Sequence, residues 1–281
     1  MSRLDVRKTY KLYIGGKFPR SESGRSYPAL GSDGEVLARV ARASRKDLRD
    51  AVRIARGAQP GWAGATAYNR GQVIYRIAET LEDRTGTFVE QLMDLGATRA
   101  QATREVADTV DLIVWYAGWS DKFAQVLGNL NPVAGPFFNI STPEPTGVVG
   151  VVAPEEPALF GLAGAVIPVL VPGNTTVVLA AESAPMPAIT FAEVLATSDV
   201  PGGVVNILTG SKDELIPWLA DHMDVDAIDA GGAAPDQVDR IQEGAVHNVK
   251  RTVLPGEWPL RSPYRIAAFT ETKTVWHPKG Q

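Results

Sequence analysis

Cysteine is absent from this sequence, which excludes disulfides, thiolate metal ligands and any cysteine nucleophile in one step. Histidine is scarce: His222, His247 and His277 are the only three, and their spacing suggests no shared metal ion. No run of lysine or arginine makes the basic stripe that a phosphate backbone requires, and the net charge is −4, so nucleic acid is not an expected partner. No segment approaches the roughly 18 uninterrupted apolar residues of a membrane span. The opening MSRLDVRKTYKLYIGG has basic residues but lacks the apolar core of a signal peptide. A compact cytoplasmic protein without membrane contact is expected, in which the sequons at Asn139 and Asn174 carry no glycan.

What is present suits a soluble domain: 281 residues, 44% hydrophobic and 21% charged, enough to bury a substantial core without covalent staples. Tyr10 to Phe18 (YKLYIGGKF) alternates like a strand around a Gly-Gly turn, the chemistry of a two-residue hairpin. A second strand is expected near Val36 to Ala41. Ser44 with Asp47 three residues on forms a capping signature, followed by Leu48, Ala51, Val52 and Ala55 on one helical face. Further amphipathic helices fit 67–84, 86–95 and 100–127.

After Gly128 the pattern becomes extended, through Pro132, Phe137, Phe138 and Ile140 to a turn at 143–147, which predicts a long hairpin. From Val148 the short apolar runs VVGVV, TTVVL, VVNIL, VDAID and KRTVL alternate with helical stretches. That alternation predicts a parallel sheet with helices on both faces, an α/β fold. The last segment, Ile266 to Trp276, is strand-like with no helix before it to serve as a crossover, so it is expected to pair outside the main alternation, against a β element of another chain.

The pieces LYIGGKF, GPFFNISTPEPTGVVGVVAP (135–154), PGNTTVVLAAESAP (172–185), PGGVVNILTG (201–210) and FTETKTV (269–275) together resemble the aldehyde dehydrogenase superfamily nearly end to end. The resemblance implies a Rossmann-like cofactor domain, an oligomerisation flap made of a hairpin and a C-terminal strand, and a catalytic domain of about two hundred residues between sheet and final strand. Only a short stretch separates Leu254 from Arg265, so that domain is absent here. The chain accordingly divides into N-terminal hairpin and helices (1–127), oligomerisation hairpin (128–147), parallel sheet (148–258) and C-terminal strand (259–281).

Three roles that the resemblance assigns are unfilled. The thiolate nucleophile has no counterpart. Glu156, in Pro154-Glu155-Glu156-Pro157-Ala158, stands where the family has an oxyanion-donating Asn, and a carboxylate accepts hydrogen bonds and repels an oxyanion. Pro255 stands where the family has its general-base Glu. No catalytic residue is therefore assigned, and Glu155 with Glu156 is weighed as a solvated pair against a new acid/base dyad. At the cofactor site the resemblance implies that Glu182 is retained while Leu179 replaces the ribose-binding Lys, and that Gly232 is retained in a turn that has lost its Ser.

NAD affinity is expected to be weak or lost. Larger members of the superfamily carry a fused, inactive domain of this kind. The chain is therefore expected to be a non-catalytic subunit that joins a full-length aldehyde dehydrogenase, or associates with itself, through Phe137, Phe138, Phe269, Thr270, Thr272 and Thr274. The alternatives are an NAD-binding sensor and an oxidoreductase with an unusual nucleophile.

Overall fold

In the computed structural model, residues 8–280 are described. The N-terminal part forms a small sheet of β1 (Thr9–Tyr10), β2 (Ser26–Leu30) and β3 (Val36–Ala41), with β3 between the others. The expected hairpin at Tyr10 to Phe18 is a short one, in which Ile14 and Lys17 exchange backbone hydrogen bonds across Gly15 and Gly16 and Leu12 N donates to Pro19 O at 3.1 Å. Tyr13 instead bridges Ile207, tying this segment to the edge of the main sheet.

Helices follow where the periodicity placed them: α1 (Arg45–Gly64), α2 (Ala67–Asp83) and α3 (Thr85–Asp94). The Ser44 hydroxyl accepts from the backbone of Lys46 and Asp47, and the Asp47 carboxylate accepts from Ser44 N, closing the capping box. The expected helix over 100–127 is broken. It becomes α4 (Arg99–Ala117) and the short α5 (Phe123–Leu127), with a turn between them in which Ser120 is buried. The turn tucks against α2 at Gly71, where an added Cβ would lie 3.2 Å from both Ala117 O and Ser120 Cβ. Tertiary contact overrides the local helical pattern there.

The hairpin past Gly128 is made of β4 (Asn129–Asn131) and β5 (Phe137–Pro145). All five apolar runs are strands of one parallel sheet: β6 (Val148–Val152), β7 (Thr175–Leu179), β8 (Val205–Leu208), β9 (Ala227–Asp229) and β10 (Arg251–Val253), in the order β10-β9-β6-β7-β8. The helices between them are α6 (Phe160–Leu170), α7 (Pro185–Ala196), α8 (Lys212–Asp221) and α9 (Pro235–Ala245). One core packs the sheet against α2, α3, α4, α6 and α7, and a second packs the opposite face against α1 and α8. A doubly covered parallel sheet is the outcome. Among the described residues no helix is long and apolar enough to cross a membrane.

The C-terminal segment corrects two expectations. Ile266 and Ala267 belong to a short helix, α10 (Pro263–Ala267), and the strand β11 runs from Thr270 to Pro278. That strand finds its neighbour in its own chain: it pairs antiparallel with β5 along its whole length, giving a three-stranded flap in the order β11-β5-β4. A second chain is therefore not needed to satisfy its inner backbone groups. Phe269, expected at an interface, is fully buried in the main core, and its carbonyl accepts from Asn174 Nδ2 at 2.9 Å. Its side chain has no surface to offer.

The link from β10 to β11 is a strap along α4 and α6. Tyr116 Oη donates to the Leu260 carbonyl, Arg265 pairs with the buried Asp229 at the end of β9, and Trp258 stacks on Tyr264. Gly164 of α6 admits the strap, since a Cβ there would come within 3.0 Å of Leu260. The strap is far shorter than the ~50 residues of a small domain. Both sequon asparagines are buried, Asn139 in the flap and Asn174 beneath the strap.

Candidate functional site

In an open α/β sheet the ligand crevice lies outside the carboxyl ends of the strands where the order reverses. Here β6 comes first in the chain, β7 and β8 extend one way, and β9 and β10 extend the other. The reversal lies between β6 and β9, flanked by the loops at 153–159 and 230–234.

That crevice is filled from within. Lys212, the first residue of α8, is buried, and its ammonium donates to Ala153 O at 2.7 Å, to Gly232 O at 3.3 Å and to the Glu155 carboxylate. One side chain thus spans both walls of the crevice. The walls also touch directly: Gly232 N donates to Val152 O at 2.9 Å, and a Cβ at Gly232 would lie 2.1 Å from Ala153 O. Glycine is required at 232 for this backbone-on-backbone contact.

The helix N-termini at this end of the sheet are oriented to receive anions, but side chains of the same chain occupy them. The Glu105 carboxylate accepts from Leu159 N at 2.8 Å and Phe160 N at 3.2 Å, capping α6. Glu182 accepts from Lys212 N at 2.6 Å, capping α8. α9 opens with Pro235, which has no N–H, and Asp236 adds a negative charge to its first turn. The backbone N–H groups of Glu182 and Ser183 donate to Glu155 at 3.1 and 3.0 Å.

Beside the crevice opens a cavity of about 860 Å³ whose lining includes Tyr27, Glu105, Glu155, Glu156, Pro157 and Glu182. The charged side chains of the lining are those four carboxylates, with no lysine, arginine or histidine among them. Burial raises the Tyr27 hydroxyl above its ordinary range, and the negative charges of Glu182 and Glu155 push it the same way. For Glu155, burial acts upward, but hydrogen bonds from Lys212 and Ser183 outweigh it and hold the carboxyl below its usual range. Glu155 is thus an ionised, fully engaged acceptor and has no proton to give at neutral pH.

Residues 21–256 match the aldehyde dehydrogenase family. The chain belongs to that family. It is 32% identical over 269 residues to cytosolic 10-formyltetrahydrofolate dehydrogenase of Mus musculus, a match that takes in 92% of this chain and 30% of that protein. It is 33% identical to cytosolic aldehyde dehydrogenase 1 of Elephantulus edwardii, over 90% of this chain and 51% of the other. Among solved structures, the NAD+ complex of aldehyde dehydrogenase from Bacillus cereus superposes with a TM-score of 0.82 at 26% identity, covering 88% of this chain and 50% of that one. The chain therefore spans between about a third and about half of the proteins it matches.

Of the two residues expected at a cofactor site, Glu182 caps α8 and also lines the acidic cavity, and Gly232 lies against the Ala153 backbone. Leu179, at the lysine position, is buried in the core between the sheet and α1 and α8. Glu156 lines the acidic cavity, and Pro255 lies in an exposed turn in which Leu254 N donates to Glu257. In the flap, Phe137 and Phe138 are partly exposed at the start of β5, Thr272 and Thr274 are exposed on β11, and Thr270 is half-buried where the strand leaves the body. Lys212 escaped notice in the sequence. Its signal was a lysine in the first turn of a helix, where the dipole disfavours a cation unless it has acceptors.

Proposed function

We propose that the chain is a non-catalytic member of the aldehyde dehydrogenase family, a cytoplasmic structural or regulatory subunit that joins a full-length NAD(P)-dependent aldehyde dehydrogenase through its flap. What supports the reading is the crevice, where Lys212 joins both walls, the Gly232 backbone lies against Ala153, and Glu105, Glu155 and Glu182 take backbone donors around it. The sequence adds the missing cysteine, the Glu156 and Pro255 substitutions, and a strap with no room for a catalytic domain. Without a nucleophile, an oxyanion donor or a base, no part of the acyl-transfer chemistry has a group to perform it.

The flap supports the second half of the reading. It projects three strands whose outer edge and one face are uncovered, the kind of edge that other chains complete. The test is chromatography of the purified chain with a full-length family member, beside an aldehyde oxidation assay of the chain alone with NAD and NADP. Co-elution without intrinsic turnover is expected. Turnover above a mock purification overturns the non-catalytic reading, and tight NAD binding by calorimetry favours the sensor.

A further inference from the structure

β11 forms one edge of the flap, and the phase of its inner ladder fixes what its outer side presents. Pro143 and Pro145 lie opposite Thr272 and Thr270. Proline has no N–H, so these are not the hydrogen-bonded pairs of an antiparallel ladder. Thr146 N donates to Phe269 O at 3.3 Å and Lys279 N to Pro136 O at 2.7 Å, in the same phase. The odd-numbered residues of β11 thus bond inward to β5, and Thr270, Thr272, Thr274 and Trp276 turn their backbone groups outward. Arg251 already covers one end, donating to Thr270 O and pairing with Glu271 at 2.9 Å. Among the described residues none bonds to the outward backbone groups of Thr272, Thr274 and Trp276.

We propose that this edge pairs with the same edge of a second copy of the chain, antiparallel about a two-fold axis through Thr274. This rests on the reading of the flap as the associating element and assigns one of its two edges, β11, to a second copy. Elimination selects the axis. Centring on Glu271 or Lys273 sets like charges against each other. Centring on Thr272 draws in Thr270, whose carbonyl Arg251 has taken. Centring on Val275 or Trp276 sets Pro278, which has no N–H, against a threonine whose carbonyl is open, whereas with the axis at Thr274 it faces Thr270, whose carbonyl Arg251 has already taken.

With the axis at Thr274, Thr272 meets the partner's Trp276, Thr274 meets the partner's Thr274, and the Glu271 carboxylate faces the partner's His277 on both sides of the axis. The self-complementarity is what favours a second copy over an unrelated strand. Leu130, Ile140 and Val275, which sit side by side across the three strands and are 66%, 46% and 46% exposed, meet their counterparts diagonally, Val275 lying opposite the partner's Lys273 and one step from the partner's Val275.

Because the chain has no cysteine, a single introduced thiol reports on the axis. Hydrogen-bonded antiparallel partners have Cα atoms about 5.5 Å apart, inside the ~4.4–6.8 Å range of a disulfide. Under mild oxidation Thr274→Cys is expected to give a covalent dimer on a non-reducing gel. Thr272→Cys, about four residues or ~13 Å from its own counterpart, is expected to stay monomeric, and light scattering is expected to read twice the 30.1 kDa chain mass for the wild type. Cross-linking of Thr272→Cys as efficient as that of Thr274→Cys, or a wild-type mass of one chain at high concentration, overturns the proposal. A monomer that still co-elutes with a full-length aldehyde dehydrogenase defeats self-pairing while leaving the proposed function standing. A dimer that never joins one does the reverse.

Discussion

At the scale of single residues, buried charge decides most. Asp229 and Arg265 are both almost wholly buried and bonded to each other. Removing one partner leaves the other's charge uncompensated in a low dielectric. Asp229→Asn is therefore expected to lower the unfolding free energy by about 3–5 kcal/mol in urea titrations, with the loss confined to stability.

Glu155 makes a pH prediction. Its folded value lies below the ordinary one, so the unfolded chain takes up the proton first as pH falls. The stabilisation is complete above the unfolded value and is lost as pH drops through the folded one. Glu155→Gln is expected to flatten the stability profile below about pH 4.5, the ordinary glutamate value, and to leave its slope near neutrality unchanged. Because the side chain is 42% exposed, the effect will be small.

Val249 offers a gain. It sits at φ +55° and is 91% exposed, a left-handed conformation that costs a β-branched residue about 1–2 kcal/mol. Val249→Gly is expected to recover a few tenths to about 1 kcal/mol after the added entropy of the unfolded chain, read as a raised Tm.

At the scale of elements, the flap shows how two prolines set the phase of a ladder. Among the described residues the outward N–H groups at Thr272 and Thr274 have no acceptor, whereas Lys273 faces its ladder partner Thr142. Thr274→Pro is expected to weaken association at least tenfold while leaving the melting temperature of the body within a few degrees, because it deletes only an outer donor. Lys273→Pro is expected to open the β5 ladder and expose the flap to proteolysis. Equal proteolysis of the two variants would show that the phase is wrong. The break between α4 and α5 belongs to this scale too: the helical period ran on to 127, but the close pass of α2 at Gly71 needed a turn after Ala117.

At the scale of the whole molecule, the two walls of the crevice are joined by the chain's own side chains, so the fold does not depend on a nucleotide to hold them together. A ligand that binds the folded state raises its melting temperature by mass action. Addition of about 1 mM NAD or NADP is expected to shift the Tm by less than about 1 °C, in contrast to a full-length family member measured beside it. A shift of several degrees would mean that the crevice opens and that Lys212 yields to phosphate.

Much of this was legible in the sequence because it depends on local period and composition. The missing cysteine, the five apolar runs of the sheet, the capping box at Ser44 and the family likeness are properties of neighbouring residues, and each has its structural counterpart. What the tertiary structure alone decided are the long-range meetings. Lys212 reaches Ala153 and Gly232, Arg265 reaches Asp229, and β11 closes on β5 across more than a hundred residues of chain. Phe269 looked like the start of an exposed strand because hydrophobic alternation does not say which end of a segment enters the core. The closure of the crevice was hidden for a related reason: a lysine, a glycine and a glutamate far apart in sequence have no shared period, and only the sheet order brings them to one place.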